Sequence, residues 1–211
     1  MELKTRTDKI RKILRTIYPD VKTPLIHQTA FQLLIATILS AQCTDKQVNR
    51  VTAVLFKHLK TPADFAGAQL KTIEKNIHST GFYHNKAKNI KNCSQEIIDT
   101  HGGRVPQTMA ELVKLPGVGR KTANVVLGAA FNTPGMVVDT HVARISQRLG
   151  LTMNKDAVKI EFDLMKIISK RAWNDFSLRL IFFGRETCSA RKPKCPTCPL
   201  NKLCPWPDKT K

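Results

Sequence analysis

Acidic residues are scarce in this chain. Its 211 residues include 16 Asp and Glu against 35 Lys and Arg, which leaves a formal net charge of +19 and a sequence pI near 10.0. A surplus of that size points to a polyanionic partner and away from a small acidic substrate. Long apolar runs are missing as well. Residues 1–20 hold no stretch that could serve as a signal peptide, and no later segment is long enough to span a bilayer. The chain therefore reads as soluble and intracellular, with a cytoplasmic location expected. There is no convincing period-2 alternation, no low-complexity linker and no internal repeat, which leaves little room for a sheet protein or a repeat array. The chain is nonetheless 42% hydrophobic, more than a ribosomal or histone-like polycation usually carries, and long enough to bury a core.

Helical spacing is abundant. Ile10, Ile13, Leu14 and Ile17 form one stripe, closed by Pro19. Phe31, Leu34, Ile35, Ile38 and Leu39 form a denser one, and Val48, Val51, Leu55 and Leu59 a third, stopped by Pro62. Others follow at Leu70–Ile77, Ile90–Ile98, Val142–Leu149, Ile160–Ile168 and Phe176–Phe183. Only Met136 to Val138 is short and β-branched, too little for a sheet. The fold class expected is all-α, built of many short helices.

The segment from Leu115 to His141 carries the most information. It opens LPGVGRKTA, continues through an apolar run from Ala123 to Phe131 that reads as a buried helix, and reaches VVDTH. Gly117 and Gly119 bracket a tight turn that no side chain is expected to crowd, where glycine permits positive φ and outward-facing amides. A glycine turn feeding a helix N-terminus is a ready anion site. Lys121 falls in the first turn of that helix, and Asp139 lies eighteen residues on. An amine beside a phosphate site, with a carboxylate nearby, suggests covalent chemistry on a nucleic acid. Asp139 before Thr140 is also a good N-cap for the following helix. Asp45 reads as a cap ahead of Val48.

Four of the six cysteines crowd the C-terminus with spacing C-x6-C-x2-C-x5-C: Cys188, Cys195, Cys198 and Cys204. An intracellular chain seldom uses such a cluster for disulfides. Four thiolates this close suit tetrahedral zinc or a [4Fe–4S] cube. Zinc ribbons normally carry two CxxC hooks and only Cys195 with Cys198 makes one here, which favours iron–sulfur. The SARKPK loop between the first two ligands is basic. Cys43 and Cys93 are isolated in or beside apolar stripes and read as buried small residues.

LPGVGRKTA with Lys121, VDTH with Asp139, the cysteine spacing and LLIATILSAQCTD at residues 33–45 together resemble the endonuclease III family of DNA base-excision repair glycosylases. That family belongs to the helix-hairpin-helix superfamily and carries a [4Fe–4S] cluster. The resemblance runs from residue 25 to Cys204. It implies two lobes with a DNA groove between them. One would be a six-helix barrel with the hairpin, residues 23–133; the other a discontinuous iron–sulfur domain, residues 1–22 and 134–211.

The resemblance also implies an activity: removal of oxidised pyrimidines, then nicking of the strand 3′ to the abasic site by β-elimination. Lys121 would form a Schiff base at the sugar C1′, with Asp139 deprotonating the amine or stabilising an oxocarbenium-like sugar. Gly117, Val118 and Gly119 would bind a phosphate through backbone amides, with Arg120 beside them. Gln42 would fill the space left by the extruded nucleotide, and Phe82, where relatives often have Leu, would be a second wedge. Lys86, Lys88, Arg191, Lys192 and Lys194 are candidate phosphate contacts. His84 and His141 would lie near the groove without a catalytic role. The partner expected is double-stranded DNA with oxidised pyrimidines or abasic sites, bound by a monomer in a bacterial or archaeal cytoplasm, at the nucleoid. An adenine-mismatch glycosylase generally lacks the lysine that Lys121 supplies and carries a further C-terminal domain. A non-catalytic hairpin DNA-binding protein would need no lysine–aspartate pair.

Overall fold

The computed structural model describes residues 2–210. The described residues form helices and loops, with no strand. They pack into two compact units, Thr23–Thr133 and the discontinuous Met1–Lys22 with Pro134–Lys211. No described helix is long and apolar enough to cross a membrane.

The continuous unit holds α2 (Ala30–Leu39), α3 (Asp45–His58), α4 (Pro62–Gly67), α5 (Leu70–Ile77), α6 (Tyr83–His101), α7 (Met109–Leu112) and α8 (Arg120–Phe131). Threonine starts four of them. Thr29, Thr44, Thr61 and Thr108 each accept a hydrogen bond from the third residue of the helix they precede, which satisfies an amide that the first turn leaves without a partner. Thr44, rather than Asp45, is thus the cap of α3, because Asp45 already has helical backbone. Helix α2 is buried on every side from Phe31 to Leu39, and the other helices turn one apolar face toward it or its neighbours. The core gathers Leu34, Ile38, Leu55, Phe65, Ile90 and Leu127, among others. Only one face of α8 is buried, through Ala123, Asn124, Val126 and Leu127, while Ala129 is exposed. The apolar run in that helix reflects small residues more than burial. Cys93 lies fully inside this core, and burial first, then Glu96, pushes its thiol up to about 12; Cys43 is only half-buried.

The discontinuous unit holds α1 (Leu3–Ile17), α9 (Thr140–Arg148), α10 (Ala157–Ile167) and α11 (Trp173–Glu186). Ile10 and Leu14 of α1 are fully buried, and α1 packs along α11. The Arg179 guanidinium donates from α11 to the carbonyls of Tyr18 and Pro19 at 2.9 and 3.0 Å, holding the end of α1 in place. Helices α9 and α11 approach closely at Gly184, where a Cβ would lie 2.8 Å from Ile145 Cδ1 and 2.9 Å from His141 Nδ1. A larger residue there would have to push the Ile145 and His141 side chains aside.

Candidate active site and cysteine centre

Helices α7 and α8 are joined by the turn Leu115–Gly119, whose apolar members point inward: Leu115 and Val118 are buried. Gly117 has φ +77°, and a Cβ there would stand 2.8 Å from Asn89 Cβ of α6. Positive φ and the pressing asparagine both demand glycine, so the turn is crowded by one side chain after all. Gly119 differs. Its φ of −94° and ψ of 175° are ordinary extended backbone, and it serves as N-cap of α8. The Val118 amide donates to Leu115 O at 3.1 Å, inside the turn. That bond removes Val118 from the expected phosphate-binding amides; its side chain anchors the turn instead. Amides without an intrahelical acceptor follow one step along the chain, in the first turn of α8. Amides such as those of Lys121 and Thr122 have no acceptor within a helix, and no side chain caps α8. Lys121 is exposed in this turn, with Arg120 half-buried before it.

Asp139 is placed by α11. The Gly135 amide donates to Asn174 Oδ1 at 2.8 Å, and Ser177 Oγ donates to Met136 Sδ at 3.1 Å, so α11 grips the extended run leading to the aspartate. Met136, Val137 and Val138 are buried. Asp139 then caps α9, its Oδ1 accepting from the Val142 amide at 2.8 Å. This bond fixes the carboxylate's orientation. His141, on the same turn, accepts at Nδ1 from Arg144 at 3.2 Å. Burial lowers its pKa and the Arg144 and Arg185 guanidiniums lower it further, against the opposing pull of Asp139. The Arg144 guanidinium, which can only donate, thus directs its hydrogen bond at a ring whose charged form is disfavoured.

Gln42 and Phe82 share an unusual backbone. They have φ of 52° and 50°, and with Asn132 they are the described non-glycine residues at positive φ. Asn132 ends α8, a common use of this conformation. The other two project from loops and are exposed, Phe82 by 63%. Strained, exposed positions of this kind cluster at functional sites. Of the expected phosphate contacts, Lys88, Arg191, Lys192 and Lys194 are exposed. Lys86 is not: it is 5% exposed, and its ammonium donates to two backbone carbonyls. Helix α6 turns that side chain inward, so it does not reach a phosphate. His84 pairs at the surface with Glu74, 2.8 Å away.

Cys188, Cys195, Cys198 and Cys204 line one small cavity, backed by Ile145, Leu149, Phe183 and Leu200. Burial first, then the neighbouring Cys188, Cys204 and Cys195, raises the Cys198 pKa, with a bond to Leu200 opposing. Among the described residues no three Cys, His, Asp or Glu side chains close on a single metal ion. Four thiols around one cavity are a donor set that can hold a metal centre. Two arginines that sequence reading passed over brace this loop. Arg144 donates to Gly184 O and Cys188 O at 3.1 and 2.9 Å. Arg148 donates to Cys188 Sγ, Ser189 O and Ala190 O, and lies 3.9 Å over the Trp206 ring. Both belong to α9, whose first turn Asp139 caps. Their only trace in the sequence is the four-residue spacing in VARISQR, which the general basic surplus hides.

Residues 35–170, which include both Lys121 and Asp139, match the HhH-GPD superfamily of base excision DNA repair proteins. An endonuclease III from Synechocystis sp. is 52% identical over 203 residues, 96% of this chain and 93% of the relative. The chain belongs to the endonuclease III family. Two solved structures of the family are also similar to it. One is a non-covalent endonuclease III–DNA complex, with TM-score 0.94 and 46% identity over 97% of this chain and 96% of the other. The second is a trapped endonuclease III–DNA covalent intermediate, an estranged-adenine complex, with the same TM-score and identity over 97% of each chain.

Proposed function

We infer that this chain is a bifunctional DNA glycosylase and abasic-site lyase of base excision repair, acting on double-stranded DNA that carries oxidised pyrimidines or abasic sites. The observation that carries the reading is Lys121. It is exposed on the first, uncapped turn of α8 behind the hairpin, in a chain 46% identical to an endonuclease III trapped covalently on DNA.

The Lys121 amine attacks the deoxyribose C1′. The C1′–N bond breaks, and its electron pair leaves with the base, which takes up a proton. Ring opening leaves an iminium between Nζ and C1′. Loss of a C2′ proton then expels the 3′ phosphate by cleavage of the C3′–O bond, and water releases the lysine. Asp139 serves this sequence by taking the amine's proton or by offsetting positive charge on the sugar. The first-turn amides of α8 hold a backbone phosphate, Arg120, Arg191 and Lys192 add phosphate contacts, and Gln42 and Phe82 enter the duplex.

Cys188, Cys195, Cys198 and Cys204 would hold a [4Fe–4S] cluster, which when bound cross-links the basic loop through four iron–thiolate bonds. A cationic centre would also offset the burial and, less, the neighbouring thiols that raise Cys198. Cys198→Ser is expected to remove the yellow-brown colour and lower Tm by on the order of 5–10 °C, checked by absorbance and thermal scanning. A colourless wild-type protein containing zinc would overturn the assignment. The bacterial relative supports a place of work on nucleoid DNA in a bacterial cytoplasm, and one lysine per lesion is consistent with a monomer.

The decisive experiment incubates the protein with a duplex bearing one thymine glycol in the presence of borohydride. The expected result is a covalent protein–DNA adduct and a nicked strand. Base release without an adduct would overturn the lyase half of the reading. Neither product from folded, coloured protein, on this lesion and on abasic duplex alike, would overturn both.

A further inference from the structure

The two loops that present Gln42 and Phe82 are tied together from beneath. One runs from the end of α2 to Thr44, the other from His78 to Phe82. Lys86 sits below both, and its Nζ donates to Leu39 O at 2.8 Å and to Thr80 O at 2.8 Å. Leu39 is the last residue of α2, so the ammonium stands where a helix presents carbonyls without partners and a negative dipole end. Thr80 is buried, its own hydroxyl donating to Ile77 O, and lies two residues before Phe82. The Lys86 amide also donates to Phe82 O at 3.1 Å, the first bond of α6. A second, exposed tie joins the first turn of α3, just beyond the first loop, to the second loop, from Gln47 Nε2 to Ser79 Oγ at 2.7 Å.

A buried ammonium bonded to carbonyls rather than to a carboxylate is an expensive choice. Methionine would fill the same volume without burying a charge. What lysine adds is two directed bonds, one to the stem of each loop. Gln42 and Phe82 hold left-handed backbone that their own residue types disfavour, and such positions persist only where the surroundings over-determine them.

We propose that Lys86 is a positioning residue, which fastens the Gln42 and Phe82 loops to each other so that the two side chains enter damaged duplex DNA as one unit. The proposal rests on the reading that Gln42 and Phe82 insert into the duplex. Lys86 touches no reacting atom. Its loss falls on opening the duplex and spares the steps that follow.

The test compares wild type with Lys86→Met, Gln47→Leu, Gln42→Ala and Phe82→Ala on two substrates: duplex carrying thymine glycol, and single-stranded DNA with an abasic site, which needs no extrusion. A third readout is fluorescence of a 2-aminopurine opposite an uncleavable abasic analogue, which rises when that base unstacks. For Lys86→Met, excision from duplex should fall about 10–100-fold, the factor that one of its two charge-assisted bonds converts to. The 2-aminopurine signal should fall with it, while single-strand cleavage stays within about twofold. Gln47→Leu should show the same pattern at about threefold. It removes a surface bond and decides the matter if Lys86→Met does not fold. Parallel loss on both substrates, or no loss on either, overturns the proposal. If Gln42→Ala and Phe82→Ala excise from duplex at wild-type rates, the underlying reading fails and takes the proposal with it. If those two are impaired while Lys86→Met and Gln47→Leu are not, the reading stands and only the proposal falls.

Discussion

Lys121→Ala is expected to abolish borohydride trapping and strand nicking, with a rate loss on the order of 10³-fold or more. Lys121 is exposed on the first turn of α8, and alanine is the best helix former. The change should therefore alter stability by no more than about 0.5 kcal/mol. Duplex affinity should survive, because the chain keeps nearly all of its +19 charge and loses one phosphate contact at most. Such a contact shows as a change of about 1 in the salt slope. Gel analysis of borohydride-treated abasic duplex reads the adduct, and binding titrations at several salt concentrations read the affinity. An adduct that persists in the variant would mean that another amine is the nucleophile.

Asp139→Asn separates the helix cap that the geometry shows from the catalytic duty proposed for the same side chain. The cap uses a single oxygen, Oδ1, which accepts from the Val142 amide. Asparagine caps a helix about as well as aspartate, so α9 and its grip on the cysteine loop through Arg144 and Arg148 should persist. The negative charge disappears. Base removal should fall by about 10²–10⁴-fold, the usual weight of a positioned acid or base, with Tm nearly unchanged. Asp139→Ala should lose the same activity and in addition about 0.5–2 kcal/mol of stability, because it removes the cap. Single-turnover excision rates beside thermal scans of the two variants make the comparison. Wild-type turnover by Asp139→Asn would leave Asp139 as a helix cap alone.

The long helices were legible because their apolar residues repeat over two or more turns, as Ile10 to Ile17 and Phe176 to Phe183 do. Helices α4 and α7 were not. Six and four residues are too few for a period to show, and Pro62, which reads as a stop for α3, is also the first residue of α4. The sequence did hold a clue to α4, since Thr61 and Asp64 form a capping box. At the hairpin the two glycines look alike in LPGVG, yet only Gly117 has positive φ and a neighbour pressing on it. That neighbour, Asn89, is far away in sequence. Lys86 was misread for the same reason. One lysine among 35 Lys and Arg looks like solvated charge, and only the packing of α6 against the end of α2 shows it turned inward. The glycine turn, Lys121, Asp139 and the four thiols stood out because their chemistry lies in short, fixed spacings. Arg144 and Arg148 did not, because their partners are carbonyls some forty residues away.

The pairing of α1 with α11 has a consequence for how the chain is made. Tyr18 and Arg179, which join the two helices, are separated by 161 positions. At 5–20 residues per second of synthesis, α1 leaves the ribosome about 8–30 s before its partner exists. In that interval Ile10 and Leu14 have nothing to pack against, and a 15-residue helix alone is marginal in water. The Thr23–Thr133 unit is contiguous and has no such delay. Helix α1, translated ahead of the hairpin unit, is thus among the last helices to find its place, and nascent chains stalled before residue 173 should carry a completed hairpin unit behind an unpaired, protease-sensitive α1.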